Sequence, residues 1–234
     1  MARFGRILIL LSFVLTATVI FLILRNDGGP RYAGRSLTEW VDLYQSVDED
    51  AQAQQAQEVR TAIRHIAADH LPLLTSWIAY DPTTRRQKTT AWAKRLPKPL
   101  RQSSIMRPLL LDQDEFRANA ATTALCVLGP EASPALPELT RLMNQTHTRQ
   151  VSRRALWVLG HMGAVGLQPL MSVINDPQHP NRMFAIDYLT DLGTNALPAV
   201  PALTKCLEDP DPAVRLRATN ALARLVPGSL SSTH

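Results

Sequence analysis

Four stretches of the chain repeat one apolar pattern, and that repetition constrains the fold more than any bulk property. They are residues 117–129 (RANAATTALCVLG), 151–163 (VSRRALWVLGHMG), 181–193 (NRMFAIDYLTDLG) and 214–226 (VRLRATNALARLV). The fifth position is always alanine: Ala121, Ala155, Ala185 and Ala218. The ninth is always leucine, Leu125, Leu159, Leu189 and Leu222, and the twelfth is Leu128, Met162, Leu192 or Leu225. Offsets of four, eight and eleven place these side chains on one stripe of an α-helix, where the alanine lets a neighbouring helix come close. Glycine at the thirteenth position in three of the four supplies the left-handed residue that ends a helix.

The segment after the glycine repeats as well. Residues 129–142 (GPEASPALPELTRL) match 193–206 (GTNALPAVPALTKC) at the glycine, an alanine, two prolines and a Leu-Thr pair. Proline fits the first turn of a second helix, where a missing amide hydrogen costs nothing. Each unit therefore reads as helix, turn, helix, with starts spaced 34, 30 and 33 residues apart. Such a unit cannot bury its apolar face alone, so the units must stack in a row. Residues 59–78 read as an earlier, degenerate unit, with Ile63 and Ala67 on the stripe and Leu71-Pro72-Leu73-Leu74 opening its second helix. About five units result. The expected fold class is all-α, an N-terminal transmembrane helix followed by an α-solenoid of helix-turn-helix repeats.

These units resemble HEAT repeats, especially the short type of phycobilisome lyases, with Asp-x-Asp-x-x-Val-Arg standing as Asp209-Pro-Asp-Pro-Ala-Val-Arg215. The order of apolar N-terminus, Tyr32-x-Gly-Arg-Ser-Leu-Thr-Glu-Trp40, Leu-Pro-Leu-Leu-x-x-Trp-Ile and a basic insert is similar to membrane-anchored bacterial HEAT-repeat proteins of the Verrucomicrobia type. The resemblance implies a scaffold or interaction role and carries over no catalytic residue. Asn181 where valine is usual, and Val226 in place of glycine, depart from the pattern and suggest an irregular fourth unit and a terminal cap.

Ahead of the repeats, residues 7–24 (ILILLSFVLTATVIFLIL) form an uncharged run of 18 residues. As a helix it would be roughly 27 Å long, near the thickness of a bilayer core. Arg3, Arg6 and Arg25 flank it, as expected of a span whose ends reach the headgroups. A cleaved signal peptide would share the basic start, but no small-x-small site comes after Leu24. Residues 1–25 read as a transmembrane signal anchor, N-terminus inside and repeats outside the cytoplasm. A linker comes next over 26–35. Ser36-Leu37-Thr38-Glu39 then has the form of a capping box, so a capping helix is expected over 36–58. The first repeat occupies 59–80, a basic insert 81–112, the array 113–228 and a tail 229–234.

The net charge of +5 sits mostly at the start: five arginines against Asp27 give residues 1–35 a charge of +4. A second concentration lies in the insert. Arg85, Arg86, Lys88, Lys94, Arg95, Lys98, Arg101 and Arg107 occur without an acidic residue among them, interleaved with Trp92. Uncompensated cations attract lipid headgroups, nucleic acid or an acidic protein face, and equally keep a loop in water.

Catalytic signatures are missing from the sequence: there is no G-x-G-x-x-G, phosphate loop, H-E-x-x-H, G-x-S-x-G or paired-cysteine spacing. His65 and His70, five apart, diverge on one helix and make a poor zinc pair. His161 is expected to meet helix-terminal carbonyls, and Asp209 and Asp211 to cap a helix. Cys126 and Cys206 read as small buried side chains. No catalytic residue, metal site, cofactor or small-molecule substrate is expected. Helical arrays bind protein partners on extended surfaces, usually those of the second helices, which nominates Glu138, Arg141, Gln168, Ser172, Lys205 and Glu208. The alternative is an anionic-surface binder acting through residues 82–111; the anchor argues against nucleic acid.

Overall fold

The computed structural model describes residues 29–48, 52–83 and 112–227. The apolar run 7–24, the eight insert cations and the tail 229–234 lie outside the described residues. Among those described, no helix is long and apolar enough to cross a membrane.

The chain enters through a small antiparallel hairpin, β1 (Arg31–Tyr32) and β2 (Arg35–Ser36), where a plain linker was expected. Ala33 and Gly34, both at positive φ (48° and 80°), make its two-residue turn. Trp40 Nε1 donates to the Tyr32 carbonyl at 3.0 Å, and the Arg35 guanidinium lies 5.0 Å from the Trp40 ring, tying the hairpin to the first helix.

That helix, α1 (Leu37–Ser46), starts on the expected capping box: the Glu39 amide donates to Ser36 Oγ at 3.3 Å, and the Ser36 amide to Glu39 Oε2 at 2.8 Å. It stops twelve residues short of the expected end at 58. Asp48-Glu49-Asp50 comes next in the chain, and carboxylates oppose the negative end of a helix dipole. Helix α2 (Ala53–Asp69) therefore begins the first repeat six residues earlier than expected. Ala56, Val59, Ala62, Ile63, Ile66 and Ala67 form its buried stripe. Helix α3 (Leu71–Ile78) carries Pro72 in its first turn and buries Leu74 and Ile78.

Three further pairs complete the regular array: α4 (Gln113–Leu128) with α5 (Leu136–Met143), α6 (Arg149–His161) with α7 (Leu167–Asn175), and α8 (Arg182–Asp191) with α9 (Val200–Lys205). Helix α10 (Pro212–Leu225) opens a fifth unit. The four seam alanines are fully buried, and the four ninth-position leucines are at most 3% exposed. Gly129, Gly163 and Gly193 sit at φ of 62°, 59° and 56°, whereas Val226, without glycine's freedom, ends α10 at a negative φ of −132°. Between the helices of a pair the prolines fall in 3₁₀ turns, Gly129–Ala135 and Gly193–Ala199, and at the start of the second helix. First helices α4, α6, α8 and α10 pack in succession as one layer, and α1 closes the open end against α2 and α4. One continuous apolar core runs from Leu37 to Leu222.

The irregular unit has a polar explanation. Asn181, completely buried where the neighbouring units place Val151 and Val214, donates through Nδ2 to Ser152 Oγ at 2.8 Å. Ser152 Oγ donates in turn to the Met143 carbonyl at 2.5 Å, which His179 Nε2 also reaches at 3.3 Å. The Asn181 amide donates to His179 Nδ1 at 3.2 Å, so both ring nitrogens are engaged. This chain of bonds staples three successive units, leaving Asn181 Oδ1 without a partner.

Candidate interaction surfaces

The nominated second-helix residues are spread over three pairs. Glu138 and Arg141 lie on α5, Gln168 and Ser172 on α7, Lys205 at the end of α9, and Glu208 in the 3₁₀ turn after it. All reach solvent, Glu138 the least. Glu138 and Arg141 neutralise each other through a two-pronged pair, Nε to Oε2 at 2.8 Å and a second nitrogen to Oε1 at 2.5 Å. That pair holds the Glu138 carboxyl below the usual carboxylate range. Ser172 Oγ donates to the Pro169 carbonyl at 2.7 Å. The face is therefore open, with much of its polarity already satisfied.

Grooves lie on the first-helix layer instead. Between α1, α4 and α6 runs a groove of about 460 Å³, lined by Tyr44, Asn119, Cys126, Arg153, Trp157 and His161 among others. Its centre is Trp157, 50% exposed, with the His161 ring stacked on it at 6.0 Å and Tyr188 tilted at 6.4 Å. His161 Nδ1 lies 2.8 Å from the Trp157 carbonyl, the helix-carbonyl contact expected of it. Gly160 makes this packing possible, since a Cβ there would stand 2.8 Å from Tyr188 Cβ. Arg153 lies over the Phe184 ring at 5.0 Å. Burial raises the Cys126 thiol well above its ordinary value, so it lines the groove as a neutral thiol.

Cations dominate this groove. Among the described residues, Arg153 and Arg154 are part of its lining and no carboxylate is. Arg60 sits 5.9 Å from the Tyr44 ring, and Arg64 Nε donates to the Val127 carbonyl at 3.1 Å, which brings both to its border. Arg154 is buried and structural: it donates to Asn119 Oδ1 at 3.3 Å and to the Tyr80 carbonyl at 2.7 Å. Tyr80 Oη donates to Asp112 Oδ2 at 2.7 Å, closing a neck that holds the two ends of the basic insert together. Asp112 also N-caps α4.

A second groove of about 890 Å³ lies between α8 and α10, lined by Asp187, Asp191, Leu216, Arg217 and Arg224 among others. Here the charges are paired, Arg217 with Asp187 and Arg224 with Asp191, the latter at 3.8 Å. Below it Arg182 bonds Asp209, which also accepts the Asp211 amide at 3.0 Å. The Arg182 hydrogen bond holds the Asp209 carboxyl below its ordinary value. Asp211 caps α10 by accepting from the Ala213 amide at 2.8 Å, so both aspartates serve the turn and the cap as the sequence suggests.

The histidine pair does not converge. His65 lies 3.5 Å from Asp69 and His70 Nδ1 lies 2.9 Å from the Ile66 carbonyl. Among the described residues no group of three His, Cys, Asp or Glu side chains could hold a metal ion.

Residues 167–232, covering α7 to α10, match the family model of HEAT repeats. These helices are thus similar to HEAT repeats. The preceding pairs share their seam and their core. No curated protein matches the chain.

Proposed function

We propose that the protein is a non-catalytic scaffold that binds a protein partner on its helical array, held at a membrane by residues 7–24 with the array outside the cytoplasm. One observation carries the reading: HEAT repeats stacked over a continuous core leave whole helical layers facing solvent, with Phe116, Trp157 and Leu216 at least half exposed on α4, α6 and α10. Stacked repeats present extended surfaces of this kind to partners. The uncharged run of 18 residues with flanking arginines supports the anchor. Cross-linking the full chain in native membranes, followed by its isolation, should recover a partner protein; none above background would count against the scaffold. Protease accessibility of the array in intact cells and spheroplasts tests its side of the membrane.

A second reading has the pinned neck of the basic insert behind it. The Tyr80–Asp112 hydrogen bond ties the two ends of the segment that carries the eight cations of residues 82–111, and such a run of charge suits an anionic surface. It requires salt-sensitive binding of the full chain to anionic liposomes that is lost when those cations are neutralised.

A further inference from the structure

The groove between α1, α4 and α6 has three properties that the repeat seam does not require. Its central Trp157 is half exposed yet held on two sides, by His161 and Tyr188. An aromatic ring already fixed in place loses little freedom on binding, which is the usual character of an interface anchor. Among the described residues its lining is acid-free, with Arg153 inside and Arg64 at the border. Arg153 is positioned over the Phe184 ring, a contact that leaves its N–H donors available, and it is exposed.

We propose that this groove docks a short acidic protein segment bearing an apolar side chain, the apolar group packing on Trp157 and the carboxylates meeting Arg153 and Arg64. The proposal rests on the protein-binding reading above and names the site and the partner's chemistry. Charge complementarity selects the occupant: the protein's own basic insert would be repelled, and a carboxylate matches the guanidinium fork of Arg153. A single-stranded nucleic acid fits less well. It needs successive stacking platforms along a basic track, whereas beyond Tyr188 the arginines of the first-helix layer are already paired with Asp187 and Asp191. A short segment ends before reaching them.

The test is selection of displayed random short peptides on the full chain in detergent micelles, with Trp157→Ala and Arg153→Glu as variants. Both positions are exposed, and unchanged thermal unfolding would verify the fold. Enriched peptides should combine Asp or Glu with Leu, Phe or Trp. Each substitution should weaken them by about tenfold or more, and salt should weaken them further. Should Trp157→Ala fail to fold, Arg153→Glu alone decides. Peptides without acidic residues, or peptides that ignore both substitutions but respond to Glu138→Lys or Lys205→Glu, would overturn the groove and leave the scaffold standing. Oligonucleotide binding lost in Trp157→Ala would overturn it as well. Failure to enrich any peptide would reject the groove as a peptide site, while the membrane cross-linking experiment judges the scaffold separately.

Discussion

The two grooves of the first-helix layer rest on the same Ala-Leu seam and differ almost entirely in what projects outward from it. Beneath the N-terminal groove lie Ala155 and Leu159, beneath the C-terminal one Ala185, Leu189, Ala218 and Leu222, all buried to the same degree. Above the seam, the first carries a half-exposed tryptophan beside the exposed Arg153 with no carboxylate among its described lining residues, the second two ion pairs that cancel. Stacking and surface chemistry are thus separable in this chain. The seam makes the layer, and the positions it leaves free decide which part of the layer attracts an anionic partner.

That separation can be attacked from the inside outward. The largest effect is expected from Arg182→Met, which leaves Asp209 charged and largely buried between α8 and α10 and should cost about 3–5 kcal/mol, read by chemical denaturation. Because the folded carboxyl of Asp209 titrates below its unfolded value, the pair stabilises above pH about 4 and its contribution fades as acid protonates it. The gap between the variant and the natural protein should therefore narrow below that pH. A gap that widens there would contradict the assignment.

Leu159→Ala strikes the other groove from below and should cost roughly 2–5 kcal/mol, with the C-terminal groove's ion pairs intact. At the boundary between the grooves, Ser152→Ala strands the buried Asn181 Nδ2 and should cost roughly 1–3 kcal/mol. The double variant Ser152→Ala/Asn181→Val restores the seam residue of the other units and should recover most of that loss, a coupling that a double-mutant cycle measures. The smallest effect belongs to Asp187→Asn/Asp191→Asn. Partners at this exposure contribute under about 1 kcal/mol each, yet the change makes the second groove acid-free like the first. If groove charge governs recognition, this variant should gain binding to the selected acidic peptides.

Legibility in the sequence depends on distance along the chain. The capping box of Ser36 and Glu39, the glycine stops and the proline starts all act within a few residues, and each appears where its local signal lies. The hairpin at residues 31–36 and the end of α1 at Ser46 are not legible in this way, the first because a non-glycine residue, Ala33, takes a positive φ, the second because an apolar stripe resumes after the acidic break. The second-helix residues rest on analogy with other arrays, and the grooves have no sequence signal at all. Trp157 reads as one more apolar residue in a helix until His161 and Tyr188 flank it and Arg153 joins it in the groove.

By itself the sequence determined that this chain builds a row of helical pairs, because spacings of four, eight and eleven residues project one face whatever surrounds them. Only the tertiary structure decided which distant residues meet: Arg154 with Tyr80 across 74 positions, Asn181 with Ser152 across 29, and Arg64 with the Val127 carbonyl across 63. Those meetings depend on how adjacent units are offset and rotated, and a period along one helix carries no information about the angle to the next.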